Sequence, residues 1–227
     1  MSIRSQDQVA LLTDYDAGSA FSEAYHTLYA NIRFSWDSEK NKQHTLLLST
    51  PSTYAGQAAV AANVGIAAAQ SGTPTILVDA DLRAPSLEQR FGLGKSAGLC
   101  DVLLEELISA QKIEQFLRKT FIADLRLLSA GSSPTIEAAA LLLSEKLPEV
   151  IQSIRHCVSE TEAGPGLVIF NAPPVLVGPD ASLIGALVEQ AILTIAKGHT
   201  TRAQAKQAQE QLQRAHANLT GIVMLDI

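Results

Sequence analysis

Three short segments carry the side chains best suited to chemistry. The first, LLLSTPSTYAGQAA at residues 46–59, runs from an apolar stretch through a small-residue turn into an Ala-rich stretch. That order is the setting of a phosphate-cradling loop, whose pattern is G-x-x-x-x-G-K-[ST]. In such a loop backbone N–H groups hold the phosphates, the Lys reaches the β/γ-phosphates, and the hydroxyl serves Mg²⁺. Here Gly56 stands at the second Gly, but Pro51 takes the first, Gln57 the Lys position and Ala58 the hydroxyl position. Neither an amide nor a methyl group replaces an ammonium or a metal-binding hydroxyl. Tyr54, inside the same loop, is expected to crowd the phosphate pocket with its ring. The second segment, TILVDADLRAP at 75–85, delivers Asp79, Asp81 and Arg83 from the end of an apolar run. The third, LVIFNAPP at 167–174, ends in Asn171 and a proline pair that stiffens the strand exit.

Apolar runs at 45–49, 75–79, 125–129, 167–171, 191–195 and 221–225 read as strands. Helical patterns at 56–70, 86–91, 99–105, 114–119, 136–158, 181–188 and 201–218 lie between them, and 21–34 forms one more ahead of the first strand. Strands that are apolar throughout are buried on both faces, which predicts an α/β fold with a doubly wound, mostly parallel sheet flanked by helices. Ligands bind such sheets beyond the carboxyl ends of the strands, so the loops after Ser49, Asp79, Ala130 and Asn171 matter most. Residues 1–20 lack a steady period and read as a leader or linker before a single domain at 21–227. The Gln/Ala-rich stretch 201–218 is expected as a covering helix rather than a coiled coil, because its seam is mostly Ala.

Composition removes several function classes. A chain of 227 residues, 47% apolar and 18% charged, buries a sizeable core without staples. A net charge of -6 without runs of Lys or Arg gives no footprint for nucleic acid, and no patch for an anionic membrane. Cys100 and Cys157 show no metal or disulfide spacing and are expected as small buried residues of a cytosolic protein. His26, His44, His156, His199 and His216 lack metal-ligand spacing, so no metal site is expected. No apolar run approaches about 20 residues and no secretory pattern opens the chain. The expected location is cytoplasmic.

Together the three segments resemble the bacterial tyrosine kinase (BY-kinase) family, the cytoplasmic kinase domains of exopolysaccharide and capsule biosynthesis related to MinD/ParA-type P-loop ATPases. The resemblance runs from Phe21 to Leu225. It implies a P-loop NTPase-like fold in which 46–59 is the Walker A loop, VDADLR the Walker A′ strand and 167–171 the Walker B strand. It also implies that nucleotide would lie on Ala55, Gly56, Gln57, Ala58, Ala59 and Asn171. Asp79 and Asp81 would serve Mg²⁺ and hydroxyl activation, with Arg83 beside them. The helix at 21–36 is similar to the family's oligomerisation helix: Glu23 is retained, while His26 and Tyr29 replace two Arg residues. Those three are the candidate contacts of a homo-oligomer.

The departures fall on the working positions. Besides Gln57 and Ala58, Asn171 replaces the Walker B Asp, and Leu225 replaces the Asn that closes the last strand beside adenine. The family phosphorylates a tyrosine cluster in its own C-terminal tail, whereas Tyr15, Tyr25, Tyr29 and Tyr54 all lie in the first 54 residues. The expected function is therefore a catalytically degenerate tyrosine-kinase-like domain that works by binding in exopolysaccharide synthesis and export. Asp79, Asp81 and Arg83 then remain as relics, with no catalytic residue assigned. The resemblance implies a membrane-anchored polysaccharide co-polymerase or an active kinase paralogue as partner, recruiting the domain to the inner face of the membrane. No cofactor is expected beyond weak binding of an anion or Mg²⁺–ATP/ADP at the N–H groups near Gly56. Two rivals stand beside this expectation. One is an active tyrosine autokinase with a rearranged ATP site; the other, weaker, is a MinD/ParA-like positioning ATPase.

Overall fold

The computed structural model describes residues 10–36, 43–54, 56–132, 138–158 and 165–226. Its strands are β1 (Gln43–Ser49), β2 (Thr75–Asp79), β3 (Leu117–Lys119), β4 (Leu125–Leu128), β5 (Gly166–Asn171), β6 (Gln190–Ala196) and β7 (Leu219–Leu225). They form one sheet in the order β3-β4-β2-β5-β1-β6-β7. Every pairing is parallel except β3 with β4. All residues of β2 and β5 are buried, so their side chains feed two separate cores on opposite faces. Along β1, Leu47 packs into one core while Leu46 and Leu48 pack into the other, the period-two alternation of a strand covered on both sides.

The helices are α1 (Ala20–Phe34), α2 (Gln57–Gln70), α3 (Leu87–Arg90), α4 (Leu99–Leu104), α5 (Ala110–Glu114), α6 (Leu147–Cys157), α7 (Asp180–Gly185) and α8 (Arg202–Arg214). α2 is buried from Ala58 to Ala69, and its small residues let it lie close to the sheet. A methyl group on Gly65 would already touch Leu125 Cδ1 at 3.4 Å. α1 covers the outer side of α2 with Tyr25, Tyr29 and Ile32 facing inward. Ser19 caps α1 by accepting the Ser22 N–H at 3.2 Å. On the other face α8 buries only Ala208 and Leu212, as a covering helix should.

Two expectations need correction. The stretch 114–119 is not a helix: α5 ends at Glu114 and Leu117–Lys119 forms the antiparallel edge strand β3. A three-residue strand is too short for its period to register in sequence, and pairing with β4 decides its conformation. Nor is 136–158 one helix. A 3₁₀ segment at Ala138–Leu143 is separated from α6, whose start carries Pro148. Proline lacks an N–H and is tolerated only in a helix's first turn, so a continuous helix would break there. The earlier part of that expectation, 136–137, lies outside the described residues.

The segment read as a leader is attached to the fold at its end. Leu11 and Leu12 are buried in the α1–α2 core, and the Leu12 N–H donates to Asn63 Oδ1 at 2.8 Å. Residues 1–9 lie outside the described residues. No described helix is long and apolar enough to cross a membrane. Phe170 on the central strand β5 is among the largest fully buried side chains. Phe170→Ala is expected to lower the unfolding free energy by about 3–5 kcal/mol in urea titrations. A loss under about 1 kcal/mol would contradict this packing.

Candidate functional site

Three neighbouring strands end side by side. Parallel pairing places Asn171, the last residue of β5, beside Leu48 of β1 on one side and Asp79 of β2 on the other. The loop after β1 climbs over these ends and turns into α2 at Gly56, whose φ of 91° is left-handed and therefore suits glycine. Ser49 Oγ donates to the Pro173 carbonyl at 2.7 Å, and the Val175 N–H donates to the Thr50 carbonyl at 2.8 Å. The phosphate-type loop is thereby tied to the exit of β5.

The two carboxylates are enclosed. Asp79 is fully buried and Asp81 is 2% exposed. Asn171 Nδ2 donates to Asp79 Oδ1 at 3.0 Å, while the N–H groups of Ser86 and Leu87 both donate to Asp79 Oδ2 at 3.0 Å. Gln57 Nε2 donates to Asp81 Oδ2 at 3.0 Å. Asp81 Oδ1 accepts from the Arg83 N–H at 3.2 Å and the Ala84 N–H at 3.0 Å. Each of the four carboxylate oxygens is engaged. Burial pushes the Asp79 carboxyl up to about 6; hydrogen bonds from Leu87, Asn171 and Ser86 work against that rise, and the nearby Asp81 charge adds to it. The Asp81 carboxyl is also raised by burial, with donors from Ala84, Arg83 and Gln57 opposing and the Asp180 charge adding.

The sequence-predicted residues separate into groups. Gln57, Asp79, Asp81 and Asn171 come together. Arg83 turns away, donating from Nε to Asp180 Oδ2 at 2.8 Å. Ala58 and Ala59 are buried in the first turn of α2, and Ala55 lies outside the described residues. Tyr54 is buried with its hydroxyl 3.4 Å from Thr194 Oγ1, so its ring is committed toward β6. It walls a cavity of about 350 Å³ shared with Gly56, with Phe21 and Tyr25 of α1 and with Leu225 of β7. On α1, Glu23 is exposed and His26 partly so, but Tyr29 is 2% exposed, with its hydroxyl bonded to Thr73 Oγ1. Tyr29 thus belongs to the chain's own core and leaves the outward face to the other two. Sequence reasoning missed Asp180 and Thr50. Thr50 Oγ1 lies 3.0 Å from the Ser52 carbonyl, the closer acceptor for its one proton, and 3.4 Å from Gln57 Oε1. Asp180 sits 97 residues from Arg83, and no local pattern marks it as a partner.

This geometry is that of a P-loop NTPase-type domain, with strand ends and loop in place around altered side chains. A scan against protein-family models finds no match. The chain is 31% identical over 221 residues to the tyrosine-protein kinase YwqD of Bacillus subtilis (strain 168), covering 97% of this chain and 86% of that protein. Among solved structures, the chimerical protein CapA2B2 superposes with a TM-score of 0.78 at 25% identity, over 94% of this chain and 88% of its own. The septum site-determining protein MinD of Pyrococcus horikoshii OT3, complexed with Mg-ADP, shares the fold. Its TM-score is 0.62 at 20% identity, over 80% of this chain and 70% of its own. The chain belongs to the bacterial tyrosine-protein kinase family.

Because the folded chain holds the Asp79 proton more tightly than the unfolded chain does, this group's contribution is fully present below its ordinary value of 3.8. It is lost as pH rises through about 6. The total is about 3 kcal/mol, of which about 1 kcal/mol falls between pH 5 and 7. Urea titrations should find that wild type loses about 1 kcal/mol more than Asp79→Asn over that interval. Equal pH slopes for the two proteins would contradict the burial of an ionisable Asp79.

Proposed function

We propose that this chain is a catalytically degenerate tyrosine-kinase-like domain that acts as a binding partner. The observation carrying this reading is that positions 57 and 171 hold neutral amides committed to Asp81 and Asp79. The residues present do not fit a Mg²⁺–nucleotide. Position 57 offers no ammonium for phosphate, position 58 offers no hydroxyl for the metal, and every oxygen of the two carboxylates already accepts a hydrogen bond. A hydrogen bond to a charged group contributes about 1.5–3 kcal/mol. Losing three phosphate- and metal-organising groups weakens nucleotide binding by about 4–8 kcal/mol, on the order of 10³-fold to 10⁵-fold. Phosphoryl transfer relies on positioning and electrostatics, so turnover suffers further.

By resemblance, the setting is exopolysaccharide synthesis and export, including chain-length control. The partner is a membrane-anchored polysaccharide co-polymerase or an active kinase paralogue, which would bring a cytoplasmic domain to the inner face of the membrane. The outward face of α1, with Glu23 and His26, is the candidate contact for a homo-oligomer. Without a γ-phosphate to toggle its loops, the domain would present one constant surface to its partner.

The active-autokinase reading makes a narrow demand. Of the candidate acceptors Tyr15, Tyr25 and Tyr29, Tyr25 and Tyr29 are buried, as is Tyr54, whereas Tyr15 is 44% exposed and is the accessible one. Calorimetric titration of Mg²⁺–ATP and Mg²⁺–ADP tests the two readings, with Gln57→Lys/Ala58→Thr/Asn171→Asp as the restored comparison. No heat from wild type and measurable binding by the triple variant is the expected result. Micromolar binding by wild type, with phosphate on Tyr15, would replace the pseudo-enzyme with a kinase.

A further inference from the structure

The two replaced positions do more than lack charge: each meets one of the two retained carboxylates. Gln57 reaches Asp81 and Asn171 reaches Asp79, both at 3.0 Å. The second oxygen of each carboxylate is turned to one short stretch of backbone. Asp81 takes the N–H groups of Arg83 and Ala84, and Asp79 takes those of Ser86 and Leu87. Each carboxylate is therefore a bridge, with a side-chain amide from another loop on one oxygen and the 83–87 backbone on the other. The same stretch is anchored laterally by Arg83 on Asp180, which is 1% exposed.

From this crossed pairing we infer that Gln57 and Asn171 are the two halves of a built-in latch, which holds the exits of β1, β2 and β5 in one closed arrangement without ligand. The inference rests on the pseudo-enzyme reading and deepens it, because it names what fixes the site in a single state. The chemistry of the residue types supports it. An Asp at 171 would set a second carboxylate within hydrogen-bond distance of Asp79, and such a pair persists only with a proton or a cation between the two. An Asn supplies the missing donor and leaves the buried carboxylate satisfied on its own. A Gln at 57 likewise donates to Asp81, tying the start of α2 after the phosphate-type loop to the β2 exit. The substitutions make the ligand-free site self-sufficient, and a metal or nucleotide would have to break these bonds to enter. Gln57 and Asn171 are thus positioning residues that act on the 83–87 backbone through Asp81 and Asp79.

Amide hydrogen exchange on the full ligand-free chain tests the latch. The variants are Gln57→Met, which keeps the length of the side chain but removes its donor, Asn171→Ala, and Gln57→Lys, which restores a donor. In wild type the amides of Arg83, Ala84, Ser86 and Leu87 should be protected, and saturating Mg²⁺–ATP should not change them. Gln57→Met and Asn171→Ala should speed exchange at these amides by about tenfold or more, with α8 unaffected and with protection regained in Gln57→Lys. Should the buried Asn171→Ala variant fail to fold, the half-buried position 57 decides alone through the contrast of Met with Lys. Unchanged exchange in folded Gln57→Met would overturn the latch, as would protection in wild type that appears only with Mg²⁺–ATP. The two failures are separable. If wild type binds nucleotide by calorimetry while ligand-free protection still follows the donor at 57, the pseudo-enzyme reading falls and the latch stands. If no nucleotide binds and protection ignores position 57, the reverse holds.

Discussion

A carboxylate at the end of a strand that is covered on both faces has no water to turn to, and the strand-exit loops of this protein are arranged around that constraint. Asp79 is fully buried where β2 leaves the sheet, and Asp81 follows two residues later at 2% exposure. Their four oxygens collect backbone N–H groups from 83–87 and amide N–H groups from positions 57 and 171. Burial without those donors would cost several kcal/mol per charge. The hydrogen bonds therefore decide where the β2 loop runs, how α3 begins, and which way the two amides face.

The layers behind the site serve the same end. The alanine-rich α2 lies close against β1, β2 and β5, which holds its first turn directly above the strand ends. Close approach leaves its outer side apolar as well, and α1 supplies the cover. That is why Tyr29 of α1, bonded to Thr73 just past α2, belongs to the interior. The helix α1 thus has an inward and an outward face. Tyr29 belongs to the core, whereas Glu23 is exposed and His26 partly so.

Membership of a kinase family and the loss of its charged groups are compatible, because the fold does not depend on nucleotide chemistry. The strand order, the Gly56 turn and the carboxylates all persist without a Lys at 57 or an Asp at 171. On the proposed reading, neutral amides at those positions remove the electrostatic reasons for phosphate and Mg²⁺ to bind. They also relieve the like-charge crowding that an Asp at 171 would bring to a ligand-free site. The same two amides satisfy the buried carboxylates of the resting structure.

Much of this was legible in the sequence. The six apolar runs identified β1, β2, β4, β5, β6 and β7, but only the inner strands are buried on both faces; the edge strand β7 alternates, with Ile222 and Met224 exposed. The loop pattern around Gly56 and the VDADLR and LVIFNAPP segments marked the three strand ends that build the site. The strand β3 was not legible, since three residues carry no period and only pairing with β4 makes them a strand. The break between Leu143 and Leu147 was legible only through Pro148, which fits only a helix's first turn and which the apolar pattern on either side masked. Residue identity alone determined that positions 57, 58 and 171 lack ammonium, hydroxyl and carboxylate, since those are properties of single side chains. Tertiary structure decided that Gln57 faces Asp81, that Asn171 faces Asp79 and that Arg83 is taken by Asp180. Hydrogen bonds between residues 24, 92 and 97 positions apart depend on how parallel strands and their crossovers bring distant loops together, and no local pattern encodes that.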